Sequence, residues 1–248
     1  MADIHLVFKS VSSVLLKREV GKMDELQDYL TKYTVPMKVA KSESGKDIYY
    51  TAPYQKDARF ISFGNTNPTP KINMNDIRDI DGIISACSET IAYSGNKVLG
   101  NCQHIEESEN ITDSSTVYRS SEILRCEYIA YSSLFRDSKY LFGCCHGGDN
   151  EFCIRCDGIN QSQRCFESSV LFHCFDTYYS NNCKNCHDVF FCFDQQQKSY
   201  MIGNNELAKD RYLELKGQLL EQITDELIRK KTVPSLVDFF IDGFRVVG

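Results

Sequence analysis

The sequence predicts a mainly β fold. Its centre is a parallel β-helix, a single-stranded and right-handed solenoid of ~18 residues per coil and about six coils, with a small α+β unit in front and a capping helix behind. Three observations predict it. Cys156, Cys165, Cys174, Cys183 and Cys192 recur nine residues apart. Leu171-Phe172-His173-Cys174-Phe175-Asp176 returns eighteen residues later as Val189-Phe190-Phe191-Cys192-Phe193-Asp194. Columns drawn at that spacing hold only apolar or small residues, for example Leu99, Val117 and Phe135, or Cys126 and Cys144. A fixed short period of small residues is what stacking coils require, because like must sit on like inside a narrow core. Cysteine serves there as a small hydrophobe. Right-handedness is expected because parallel crossovers strongly favour it.

Three segments follow, 1–70, 71–203 and 204–248. In the first, residues 1–20 fit a strand (Ile4, Leu6, Phe8) or a helix (Val7, Val11, Leu15) equally well. Met23, Leu26, Leu30 and Tyr33 predict a helix over 22–33, stopped before Pro36. Residues 37–41 and 48–51 read as a hairpin around Ser42–Lys46, and 58–63 as a further strand. Gly64–Pro70 reads as a linker. The repeat then runs from near Ile84 to near Tyr200. A three-residue insertion at Gly147-Gly148-Asp149 shifts its phase and marks a loop. Behind it, Asn204 or Asn205 caps a helix with the stripe Tyr212, Leu215, Leu219, Ile223 and Leu227, ending near Lys231. The apolar run from Leu236 to Val247 is expected to dock on the body or on a partner. Both flanking units are read as covers for the solenoid's raw ends.

The pattern of a Cys/Ser-rich β-helix, then Tyr200-Met201-Ile202-Gly203-Asn204, then Lys209-Asp210-Arg211-Tyr212 opening a helix, resembles a group of uncharacterised repeat proteins. That group occurs in phage, archaeal and candidate-phylum bacterial genomes. The resemblance covers roughly residues 120 to 220 and implies the fold; the group has no agreed activity, and a virion or large-assembly component fits it. Members often carry Cys-rich metal-binding elements in front, whereas residues 1–80 here hold no cysteine, so no ligand set carries over.

Composition narrows the function. A net charge of −6 gives no basic footprint for nucleic acid. No apolar run is long enough for a membrane span, and the first residues lack a secretory signal, so a cytoplasmic or virion location is expected. Twelve cysteines without export read as reduced thiols rather than a disulfide framework. Stacked ladder positions ~4.8 Å apart also exceed the Cβ spacing that a disulfide prefers. Cys153-x-x-Cys156 and Cys183-x-x-Cys186 resemble two halves of a zinc site but belong to different columns, so no cofactor is expected and zinc is the alternative. Cys/His neighbours such as His173 and Cys174 are expected on opposite faces of a strand, unable to share an ion. The loop Cys144–Asp149 is the best local candidate, with Cys145, His146 and Asp149 as metal ligands or a reactive thiol. Asp176 and Asp194, expected one coil apart with Asp157 near, are the carboxylates of a carbohydrate-active reading.

Outward aromatics complete the list. Phe175 and Phe193, with Tyr118 in the same row, and beside them Tyr178, Tyr179 and Phe166, form a strip for a partner or for the C-terminal segment. Phe239, Phe240 and Phe244 of that segment are partner-binding candidates too. The sequence therefore predicts a non-enzymatic structural or interaction protein, partnered by other proteins or by its own copies. A metal- or redox-linked role and a carbohydrate role are the alternatives.

Overall fold

Every third residue from Ser108 to Cys192 is buried, except Gly147, which has no side chain to bury. The backbone explains this period. In the computed structural model, which describes residues 3–54, 58–64 and 71–239, every third residue from His104 to Tyr200 has a positive φ. A plain strand alternates with period two. Two extended residues followed by one left-handed residue reset that alternation to three. One residue of each triplet then points inward and two point outward. Left-handed backbone costs an L-residue roughly 1–2 kcal/mol. Asn and Asp tolerate it best, yet Thr116 and Val170, both β-branched, adopt it here.

Four triplets close one coil. Glu127 pairs with Lys139 and Cys153 with Cys165, each twelve residues on. The coil is therefore twelve residues with two four-residue strands, not eighteen with one. The spacings of nine and eighteen are multiples of the three-residue unit. They mark equivalent positions in a triplet but do not stack one above another. Nine parallel strands, from Gln103–Glu106 to Ser199–Ile202, form one sheet, which the antiparallel Asn205–Glu206 closes at its C-terminal edge. Eight strands, from Val98–Leu99 to Asn181–Lys184, form the other. About nine coils replace the expected six. Gly147-Gly148-Asp149 is not an insertion. Cys145–Gly148 is a strand in register with Ser133–Arg136 and Asp157–Asn160, because three extra residues are one more triplet.

Inward residues at strand centres are mostly Ile, Val, Leu or Cys, and those at corners are mostly Ser or Cys. Corner chemistry explains the second set. The N–H of a corner residue lies between ladders and needs an acceptor. Ser132 supplies one. Its Oγ accepts from the Cys144 N–H of the next coil at 3.1 Å and donates to the Ala130 carbonyl at 2.9 Å. Cys144 does the same through sulfur, accepting from the Cys156 N–H at 3.5 Å. Asn150 does so through Oδ1, accepting from Ser162. Ser132→Ala is expected to lose about 1–3 kcal/mol by stranding the Cys144 N–H. Ser132→Cys should lose less, and urea melts of the two variants check the order.

The N-terminal helix and the long C-terminal helix lie along one side, whereas the hairpin and the strand Arg59–Ser62 of the front unit pack on Ala92–Gly95 at the solenoid's N-terminal end. Residues of the nine-strand sheet one coil apart, Ala130, Phe142, Ile154, Phe166, Tyr178 and Phe190, point outward as one apolar column. On it packs helix α1 (Ile4–Leu16), through Phe8 edge-on to Phe142 at 5.1 Å and Tyr178 donating to the Leu15 carbonyl at 3.1 Å. So the ambiguous first segment is helical. Asp3 caps it, and Phe8, Val11, Leu15 and Leu16 are its buried face. A 3-10 turn (Met23–Leu26) and helix α2 (Gln27–Thr31) take the place of one helix over 22–33. The hairpin Lys38–Lys41 with Asp47–Tyr50 and the strand Arg59–Ser62 form as expected. The linker residues 65–70 lie outside the described residues. Helix α3 (Ile80–Thr90) carries Cys87, so the repeat begins after it rather than at Ile84.

Helix α4 (Lys209–Lys230) lies against α1 and the last coils. Its buried face is Tyr212, Lys216, Leu220, Thr224 and Leu227, turned by one residue from the expected stripe in the middle. Lys216 is buried because its ammonium sits over the rings of Tyr178 and Tyr212 and 3.3 Å from Asp188. Ala208 precedes the helix without a side-chain cap. Asn204 instead closes the last coil, accepting from the Phe193 N–H at 2.8 Å and donating to its carbonyl at 3.1 Å. No described helix is long and apolar enough to cross a membrane.

Candidate functional site: a thiol cavity beside a buried ion pair

The second sheet, eight strands wide, carries neither α1 nor α4, and is called the open sheet below. At one edge of it a cavity of about 240 Å3 is lined by Cys145, His146 and Asp157 of the sheet, Gly143 and Arg155 of the adjoining corner, Tyr33, and Ser235 and Val237 of the C-terminal strap. Cys145 and Asp157 are direct partners on neighbouring strands. His146 has a left-handed backbone, so Cys145 and His146 are the two outward members of one triplet. Hence neighbouring residues do not face opposite sides here, and both side chains line the same cavity. The Nδ1 atom of His146 lies 3.3 Å from Asp157 Oδ1.

Cys145 alone among the thiols of the coils is outward-facing. It is 8 % exposed, and its sulfur is 3.4 Å from Ser133 Oγ. Burial pushes its thiol up, and the Ser133 contact works against that shift. The inward thiols from Cys126 to Cys192 are buried more deeply. Burial pushes Cys126 and Cys174 up to about 11 and Cys183 to about 12, which keeps them protonated at neutral pH.

Behind the cavity lies a buried ion pair. Arg155 Nη1 is 3.3 Å from Glu167 Oε1, and both side chains are sealed from solvent. The geometry is poor for a directed hydrogen bond, and both Arg155 terminal nitrogens lack one. Charge and two ring faces hold the guanidinium instead: Tyr29 at 4.4 Å and Tyr33 at 4.9 Å. Glu167 is richly supplied. Tyr29 donates to Oε1 at 2.6 Å, and Ser235 Oγ and the Leu236 N–H donate to Oε2 at 2.6 and 3.4 Å. Tyr179 donates to the Pro234 carbonyl, and Lys32 pairs with Asp238 at 2.7 Å. These contacts tie residues 233–238 onto the solenoid and roof the cavity.

The expected site residues separate accordingly. Cys145 and His146 come together. Asp149 sits at the other end of their strand, exposed, and does not line the cavity. Asp157 takes its place, legible only once the coil is twelve residues. Among the described residues no three His, Cys, Asp or Glu side chains are arranged to hold a metal. Cys153, Cys156, Cys183 and Cys186 are all inward ladder residues. Asp176 and Asp194 are not one coil apart. Asp176 faces out of the helix-bound sheet beside Arg164, whereas Asp194 bonds Asn182 on the open-sheet side. Tyr178 and Tyr179 are no free partner surface, because α1, α4 and the strap bury both, and Phe166 with them. Phe193 is half-buried against the same cluster. Phe175 stays exposed at 44 %, as does Phe239 at 56 %. Phe240 and Phe244 lie outside the described residues. Comparison of the chain with family models, with characterised proteins and with solved structures returned no match.

Proposed function

We propose that this chain is a non-enzymatic structural protein, a rigid β-solenoid scaffold that offers its open sheet to protein partners within a larger assembly such as a virion. One observation carries the reading. Among the described residues, the helices α1 and α4 cover one sheet and not the other, on which Leu134, Val170 and Phe172 are exposed. Sequence reasoning missed these three, because the nine- and eighteen-residue columns mix the two sheets. Leu134 and Val170 share one outward column three coils apart and Phe172 lies on Val170's strand, all held on a stiff surface that suits contact with a flat partner. The buried inward thiols fit a packing role.

Protein isolated from its own source under reducing conditions is expected to appear in a defined larger complex by native mass spectrometry. The variant V170E/F172E should be lost from that complex while melting within about 1 kcal/mol of the parent, since surface changes cost little. A chain recovered as a monomer, or a complex indifferent to both charges, overturns the reading. Zinc or iron at whole-number stoichiometry would favour the metal-linked alternative.

A further inference from the structure

We propose that Cys145 is a modification site for small electrophiles, with the His146–Asp157 pair as the acceptor of its proton. Three observations meet there. The thiol lines a cavity of about 240 Å3, room for a ligand of several heavy atoms. The contact of 3.3 Å between His146 Nδ1 and Asp157 places the proton on Nδ1 and leaves Nε2 free to accept one. Ser133 Oγ, at 3.4 Å from the sulfur, can donate to a forming thiolate. No other cysteine has this setting. Cys156 also borders the cavity but belongs to the inward ladder with the other buried thiols, and Cys87 and Cys102 lie on helix α3 and in the first coil.

The cavity selects the reagent. Tyr33, Gly143 and Val237 give it an apolar wall, and the strap narrows its mouth. A small neutral electrophile with an alkyl or acyl carbon fits; a bulky or strongly charged one does not. With an alkyl halide the step balances simply. The Cys145 S–H proton passes to His146 Nε2, the sulfur forms a bond to carbon, and the carbon–halogen bond breaks with release of halide. The cavity lies on the same sheet as the scaffold reading's contacts, with His146 one coil from Leu134, but labelling of the isolated chain needs no partner and stands or falls without that reading.

The probe is iodoacetamide, used on the folded, reduced full chain carrying C87S and C102S. Cys102 sits in the corner column that serine also occupies, so the second change is conservative. The expected result is one carbamidomethyl group, mapped to Cys145 by peptide mass spectrometry and absent from C145S. Its rate should fall at least about tenfold in H146Q, as for loss of a positioned base. His146 is well exposed, so H146Q is expected to keep the parent melting curve. No labelling of Cys145 until the chain unfolds, or an unchanged rate in H146Q with the fold intact, overturns the proposal.

Discussion

Glu167→Ala is expected to be the most damaging single substitution in the chain, losing about 3–5 kcal/mol and freeing the C-terminal strap. Breaking one side of a buried ion pair leaves the other charge uncompensated in a medium that cannot solvate it. Here the stranded partner is Arg155, which already lacks directed hydrogen bonds. The same change removes the acceptor for Tyr29, Ser235 and the Leu236 N–H together. Arg155→Met should cost less. Glu167 can neutralise itself by taking a proton, at the expense of weaker hydrogen bonds from its three donors, whereas a guanidinium cannot shed its charge. Equilibrium unfolding in urea gives the order, and hydrogen exchange at residues 233–238 reports the strap. Equal losses in the two variants would contradict the asymmetry.

The pair also gives a pH dependence with a definite sign. Burial raises the Glu167 carboxyl above the ordinary range, against the opposing pull of Arg155 and the donors. The folded chain therefore holds that proton more tightly than the unfolded chain. Its contribution to stability improves as pH falls through the raised folded value, and levels off below the ordinary carboxylate range. The wild-type curve should carry this segment of slope, and E167A should lack it.

Gly147→Ala is the second large effect, expected to cost about 3 kcal/mol from overpacking and backbone strain combined. Gly147 is an inward position without a side chain, and its φ of +151° lies in the region that favours glycine. A Cβ there would stand 2.6 Å from the Ile159 carbonyl oxygen and 2.7 Å from the Phe135 ring. Phe135, its partner on the preceding coil, fills the space that Gly147 leaves. Phe135→Leu in the G147A background should recover part of the loss, whereas Phe135→Leu alone destabilises. A four-protein unfolding cycle measures this coupling. Additive losses would mean that the ring does not occupy the glycine's place.

These two sites show where sequence reasoning reached its limit. By itself the sequence determined that the chain is a β-solenoid, that the cysteines at Cys156, Cys165, Cys174, Cys183 and Cys192 point inward, and that a long helix follows. Local chemistry is enough for this, since stacked coils demand small or apolar residues at a fixed period. It did not determine the coil length. A three-residue unit yields agreeable columns at nine, twelve or eighteen, and only hydrogen bonding between coils selects twelve. That choice moved Asp157 beside Cys145, sent Asp176 and Asp194 to different sheets, and turned an apparent insertion at Gly147 into one more triplet. The left-handed residue in each triplet is invisible in a sequence that places Tyr, Phe, Arg and Val there as readily as Asn. The tertiary structure alone decided which outward column is clothed by α1 and α4. Arg155 and Glu167 lie one coil apart, so the twelve-residue period itself stacks them, but Tyr29 and Ser235 are far away in the chain and nothing local marks the four as one cluster. The cluster is completed only when the strap and helix α2 fold back across the solenoid and bring Ser235 and Tyr29 onto Glu167, and removing water from both charges there makes their pairing obligatory.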